Sequence, residues 1–283
     1  DWYNKAGFRF SPRINFKYMP VDEIVIRANG GRGLRYSTPL IDNIGVFSTG
    51  KVFNGAYNDH ILEDAWTFGG NITYYLPFGA SSNTYLSFDY FRTQFEQQMV
   101  VDYELTQNAI EFYALDGGDS FTDNYQVDFN WTPFRGFDLF ATFRYTNAKM
   151  TVEREDKSYL VERPLTSRFK GLINIQYAVR RWVFDVTAQL NGPMRLPELN
   201  GDMVAAVENP TLSPIYPMFF AQVSYKVSNL TIYLGCENIG NYKQPKPIVV
   251  PEGGPYAPGF NSSMVWGPLT GVKGYVGIRL NIY

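Results

Sequence analysis

The sequence predicts an all-β chain, a transmembrane antiparallel up-and-down β-barrel wall of about eleven strands. Three observations carry that expectation. Segments of roughly 10 residues alternate apolar and polar side chains, which puts one kind on each face of a strand. Tyr125, Val127, Phe129 and Trp131 set against Asn124, Gln126, Asp128 and Asn130 are the cleanest case. The connections alternate between a short turn and a long loop, so successive strands run antiparallel and all long loops fall at one end. Aromatic residues (22 Phe, 21 Tyr and 5 Trp) make up 17% of the chain, and both strands and membrane interfaces favour them.

In order, the first strand sets Arg13, Asn15 and Lys17 against Ile14, Phe16 and Tyr18, with a turn expected at Met19 to Asp22. The second sets Ile24, Ile26 and Ala28 against Val25, Arg27 and Asn29, and runs into Gly30 to Gly33, a flexible strand end. A loop containing Asn54, Gly55, Asn58, Asp59 and His60 follows. The third strand covers Trp66 to Leu76, Pro77 to Asn83 turns, and the fourth starts near Leu86 and fades near Asp102. A polar loop with Asp116 to Asp119 leads to the fifth, around Tyr125 to Trp131. Pro133 to Gly136 turns into the sixth, Phe137 to Tyr145, which is followed by a charged loop, Glu153 to Lys157. The seventh and eighth, Ile173 to Tyr177 and Trp182 to Asn191, flank a turn at Ala178 to Arg181. The loop of Gly192 to Pro197 precedes the ninth, Phe219 to Lys226; Val227 to Asn229 turn into the tenth, Leu230 to Glu237. The Pro- and Gly-rich Asn238 to Thr270 leads to the last strand, where Val276, Ile278, Leu280 and Ile282 alternate with Gly277, Arg279 and Asn281. No helix is expected.

Bulk properties exclude several functions. A net charge of −2 leaves no electrostatic footprint for nucleic acid. One cysteine, Cys236, and one histidine, His60, exclude a disulfide framework, a Cys-cluster zinc site and a multi-histidine metal centre. No cofactor is implied. No apolar run reaches the roughly 18 residues of a membrane helix, which leaves barrel strands untouched. A soluble sandwich also wets one sheet face, but it does not sort its loops by length. Polar faces rich in Asp, Asn, Gln and Arg suit a wet lumen, because a charge on the lipid face costs roughly 2–4 kcal/mol at mid-bilayer. Arg279 and Asn281 are thus expected in the lumen, with Ile278, Leu280 and Ile282 in lipid. An odd strand count does not close a bacterial barrel, and an open sheet strands backbone groups in hydrocarbon. Residues 1–283 are therefore expected to be the C-terminal part of a larger barrel, with other strands upstream.

Several stretches resemble the C-terminal half of TonB-dependent outer-membrane receptors of the Bacteroidetes style. They are Phe10 to Asn15 (FSPRIN), Ile26 to Arg35 followed by Pro39, Leu86 to Thr93, Gly192 to Pro197, Glu237 to Tyr242 (ENIGNY), and Trp266 to Gly271 with the terminal strand. No single motif is specific; their order and spacing across nearly the whole chain are. The resemblance implies the second half of a 22-stranded barrel whose lumen holds an N-terminal plug, the plug and first half lying upstream. It implies active, TonB-driven import of a scarce ligand (ferric siderophore, haem, cobalamin or another metal chelate) and no enzyme activity. Implied partners are outer-membrane lipid, the chain's own plug, TonB, the small-molecule or metal-chelate ligand and a surface lipoprotein lid. The implied location is the outer membrane of a Gram-negative bacterium with long loops outside. One departure is that Ile282, not the terminal Tyr283, is in phase with the lipid-facing residues.

Loops on a rigid scaffold concentrate binding residues. Arg32, Arg35, Tyr36, His60, Arg195, Tyr242, Lys243, Gln244 and Trp266 lie in or beside long loops and are the ligand-binding candidates. Arg27, Asn29, Arg144, Gln189 and Glu237 are expected on the lumen wall, facing the plug. Gly30 to Gly33 lacks the lysine and helix of a phosphate loop. Alternative functions are a SusC-like glycan importer of the same architecture, a barrel hydrolase using His60, and a soluble carbohydrate-binding sandwich.

Overall fold

The computed structural model describes all residues except 1, 5–6, 81–82, 107, 155–156, 198–210, 251–253, 255, 257–259 and 283. A two-strand ribbon, β1 (Trp2–Tyr3) with β2 (Gly7–Phe8), precedes β3 (Arg13–Val21) and β4 (Ile24–Tyr36). The first long loop holds a helical turn, α1 (Pro39–Asp42), a 3₁₀ turn over Ile44–Ser48, and β5 (Val52–Gly55). Then come β6 (Leu62–Tyr75), β7 (Tyr85–Asp102), β8 (Ala109–Asp116), β9 (Phe121–Trp131), β10 (Phe137–Arg154) and β11 (Lys157–Glu162). The last third contributes β12 (Phe169–Val179), β13 (Trp182–Asn191), β14 (Tyr216–Val227), β15 (Leu230–Glu237) and β16 (Lys273–Leu280).

The main sheet has 14 strands, of which β5, β8 and β11 lie off the path, leaving eleven in one antiparallel meander from β3 to β16. Among the described residues β3 pairs only with β4, and β16 only with β15, so the sheet is open with two free edges. Apolar side chains at those edges are the barest of the wall: Ile14 is 72% exposed and Val276 73%.

Register gives each face its chemistry. Lys17, Arg27, Asn71, Asp89, Gln126, Arg144, Lys170 and Asn191 occupy successive cross-strand positions from β3 to β13. The opposite face runs Tyr18, Ile26, Ile72, Phe88, Val127 and Phe143 through the same strands. Because side chains alternate, Asn29, Gln189 and Glu237 share the polar face with Arg27 and Arg144, as does Arg279, opposite Thr231, while Ile278 and Leu280 share the apolar one. The phase of Tyr283 lies outside the described residues.

The structure corrects several expectations. Met19 to Val21 is not turn but strand: a register irregularity between Tyr18 and Val21 places Pro20 at a bulge of an edge strand, where its missing N–H is tolerated. Gly30 to Gly33 is strand interior, paired with Phe68 to Ala65. Helical turns do occur, in the first long loop. β10 and β11 form a hairpin that carries the sheet past the wall through the stretch read as charged loop, and β7 and β8 do the same.

Candidate functional site

The long loops pack into a roof over one end of the wall. β5 joins β8 in parallel, Val52 opposite Ala109, and beneath them Val46, Ile110 and Phe112 form a buried cluster with Phe53 and Tyr57 against it. Phe112 is 1% exposed, so its burial stabilises the roof by roughly 1.5–3 kcal/mol. Val100, Leu115 and Val152 form a second cluster between the two projecting hairpins. The first and last long loops also meet: Thr49 and Val249 both bridge to Asn261, and the Ser262 hydroxyl donates to the Ser48 carbonyl at 2.6 Å. These loops follow strands near opposite edges of the sheet, so the roof ties the wall's two sides together.

Charged groups clasp the end of β7 and the segment after it from three directions. Arg154 pairs with Asp102. Both guanidinium ends of Arg195 reach Glu104, at 2.7 and 2.8 Å, and its Nε donates to the Glu162 carbonyl. The Lys51 ammonium donates to the Tyr103 carbonyl at 2.7 Å. Burial lowers the Lys51 pKa and raises that of the Tyr103 phenol. At the base of the β11 hairpin, hydrogen bonds from Arg168 hold the Glu162 carboxyl below its usual range.

A cavity of about 260 Å³ opens under this roof, lined by Arg35, Glu63, Phe95, Met99, Met150 and Arg163 among others. Arg35 is fixed by Glu63 at 2.6 Å and Asp42 at 3.3 Å. Arg163 is exposed and enters no ion pair among the described residues. Phe95 and the two methionines add apolar, deformable surface.

The candidates from sequence scatter around this mouth. Arg35 lines the cavity. Arg32 lies one step out of phase, on the apolar face's side, where it pairs with Asp64. Tyr36 meets Tyr3 edge-on, ring centres 5.7 Å apart. The His60 ring bonds the Ser37 main-chain carbonyl at 2.9 Å, while the Ser37 hydroxyl accepts the Ile61 N–H. That is not the serine–histidine contact a hydrolase needs. Tyr242 and Trp266 come together, but as a packed knot with Tyr216, Met194 and Leu196, to which Gln244 is tied by accepting the Trp266 N–H at 2.8 Å. Tyr242 stacks on Tyr216 at 4.7 Å and 4°, and burial raises the Tyr242 phenol's pKa. Lys243 beside them is exposed. The cavity also gathers Arg163, Phe95, Met99 and Met150, none of which the sequence pattern singles out. Among the described residues no group of three or more His, Cys, Asp or Glu is placed to hold a metal ion.

No family model and no curated protein matches this sequence. Solved structures do. The ferric enterobactin receptor PfeA of Pseudomonas aeruginosa, in complex with enterobactin, superposes with a TM-score of 0.63 at 12% identity, over 97% of this chain and 41% of that one. The siderophore receptor PirA of Acinetobacter baumannii gives 0.65 at 11% identity, over 98% and 41%. The copper transporter OprC gives 0.66 at 11%, over 95% and 38%. The fold is the barrel wall of TonB-dependent outer-membrane receptors. The chain spans about 40% of the length of the structures it matches, as a partial receptor barrel does. At such identity the likeness shows the receptor-barrel fold alone, and nothing in it separates a Bacteroidetes type from any other. The polar face carries Arg27 and Arg144, and the apolar face leaves Ile173, Val186 and Phe184 exposed.

Proposed function

We propose that this chain is the C-terminal half of the barrel of an outer-membrane transporter that imports a scarce ligand under TonB control. The observation that supports it best is the open, amphipathic eleven-strand sheet. Two free edges in hydrocarbon would leave rows of backbone groups unpaired, so the sheet requires further strands, and upstream strands of the same polypeptide supply them in this reading. A plug domain, also upstream, fills the inner wall and meets Arg27, Asn29, Arg144, Gln189 and Glu237. The long loops are extracellular, and lipid covers the outer wall. The ligand is a metal chelate, with a ferric siderophore foremost, since the neighbours named above include receptors for siderophores. It meets the mouth at Arg35 and Arg163, with Lys243 at the rim. A surface lipoprotein lid over the loops belongs to the same proposal.

The test is uptake of radiolabelled iron or copper chelates by cells carrying the full-length protein, with TonB present or deleted. Energised uptake that vanishes without TonB supports the reading. Uptake indifferent to TonB, or TonB-dependent uptake of an oligosaccharide and of no chelate, overturns the mechanism or the ligand class respectively.

A further inference from the structure

The first long loop is apolar on both sides. Val46 is buried in the cluster with Ile110 and Phe112, and Pro39 is buried beside the mouth cavity. On the other side Ile41 is 76% exposed, Ile44 74% and Phe47 61%. Ile44 and Phe47 stand three apart in a 3₁₀ turn, so they share a side. The last long loop meets the first at Asn261 and adds Ile248 and Val250, exposed on either side of the buried Val249. All of these residues stand in the loops, not on the apolar face of the wall. A helical segment that is apolar all round belongs in an interior layer, and an apolar patch left bare marks an interaction surface.

We propose that Ile41, Ile44 and Phe47 are the seat of an apolar segment of the protein's own upstream half, the mouth-side stretch that leads into the β1–β2 ribbon. This rests on the transporter reading, which places that half upstream. The ribbon shows the route. The Tyr3 ring packs edge-on against Tyr36, and its hydroxyl donates to the Leu34 carbonyl at 3.2 Å. Tyr36 stands three residues before Pro39, which is at most about 10 Å of chain. Polypeptide that arrives at the ribbon therefore arrives beside the first long loop. The ribbon's own surface is of matching kind, since Trp2 and Phe8 are both largely exposed. The length outside this chain suits that occupant, because the matched receptors are less than half covered by it.

The experiment uses the full-length protein in isolated outer membranes. The photocrosslinker p-benzoylphenylalanine takes the place of Ile44 or Phe47, and crosslinked peptides are mapped by mass spectrometry after irradiation. In parallel, Ile41→Cys and Ile44→Cys on a Cys236→Ser background are labelled with a charged maleimide, both folded and after unfolding by heat in urea. None of these changes replaces a buried side chain, and heat-dependent gel mobility checks that each barrel has folded. The expected result is an internal crosslink to a mouth-side segment upstream of this chain. Labelling should be roughly tenfold slower in the folded protein than in the unfolded one, the factor for about 1.4 kcal/mol of cover. Labelling of the folded protein at the unfolded rate overturns the proposal. So does a crosslink to the plug domain, to a second copy, to another protein or to lipid, and so does the absence of any crosslink. Neither measurement uses ligand or TonB. Uptake that fails to depend on TonB therefore counts against the transporter reading, while the crosslink map decides the docking.

Discussion

Gln244 was a ligand candidate by sequence, and its surroundings predict a different role. It is 5% exposed. Its amide nitrogen donates to the Met264 carbonyl at 2.7 Å, and its amide oxygen accepts the N–H groups of Trp266 at 2.8 Å and Gly267 at 3.0 Å. One side chain thus holds three backbone groups of the loop. Gln244→Leu keeps the bulk and removes all three partners. At about 1 kcal/mol for each group left unpaired, the lower end of the usual penalty, the loop loses roughly 3 kcal/mol against local opening. That corresponds to about a hundredfold loss of amide-exchange protection. The assay is hydrogen exchange by mass spectrometry on peptides spanning Val265 to Gly267, with β13 and β14 as internal reference. Protection should fall only in the loop, since local opening is separable from the barrel. Gln244→Glu, which keeps the acceptors for Trp266 and Gly267, should lose less. Wild-type protection in Gln244→Leu, together with lost ligand binding, would refute the derivation and return Gln244 to the ligand.

Four further outcomes are expected. Gly136 sits in a short turn at φ 89°, where an added Cβ would lie 2.3 Å from the Ala178 carbonyl oxygen; Gly136→Ala should cost roughly 2–4 kcal/mol and lower the barrel's unfolding midpoint. A double-mutant cycle on Arg195→Met and Glu104→Gln should give a coupling of about 1–2 kcal/mol, above that of an exposed pair because both side chains are mostly buried and the contact is two-pronged; a coupling near zero would remove the clasp from the roof. Ile175→Lys on the outer wall should cost roughly 2–4 kcal/mol in lipid, whereas Asn174→Lys on the inner wall, beside Asp185, should cost little; equal costs in a bilayer folding assay would contradict the assignment of faces. Glu162 is held below its usual pKa by Arg168, so its contribution is full above the unfolded-state value and is lost as pH falls through the folded-state one; exchange at the β11 hairpin should speed up under acid in wild type and not in Glu162→Gln.

The sequence by itself determined the wall. Alternation is a local property, so each of the eleven path strands, the face on which Arg27, Asn29, Arg144, Gln189 and Glu237 lie, and the rhythm of short turns and long loops could be read without a partner in view. The open edges followed from counting. What lay beyond the wall was decided by tertiary structure. β8 buries side chains on both faces under the roof, so its alternation is masked, and its parallel partner β5 lies more than 50 residues earlier. Arg195 finds Glu104 across 91 residues. Tyr242, Gln244 and Trp266 have the composition of a binding pocket, yet distant Tyr216 and Met194 turn Tyr242 and Trp266 into a packed knot to which Gln244 is tied. Whether a cation is paired, as Arg195 is, or enters no ion pair among the described residues, as Arg163 does, is decided only by what stands beside it in three dimensions. The spacing of a sequence carries the pairing of adjacent strands, but not which charge is neutralised by a residue dozens of positions away.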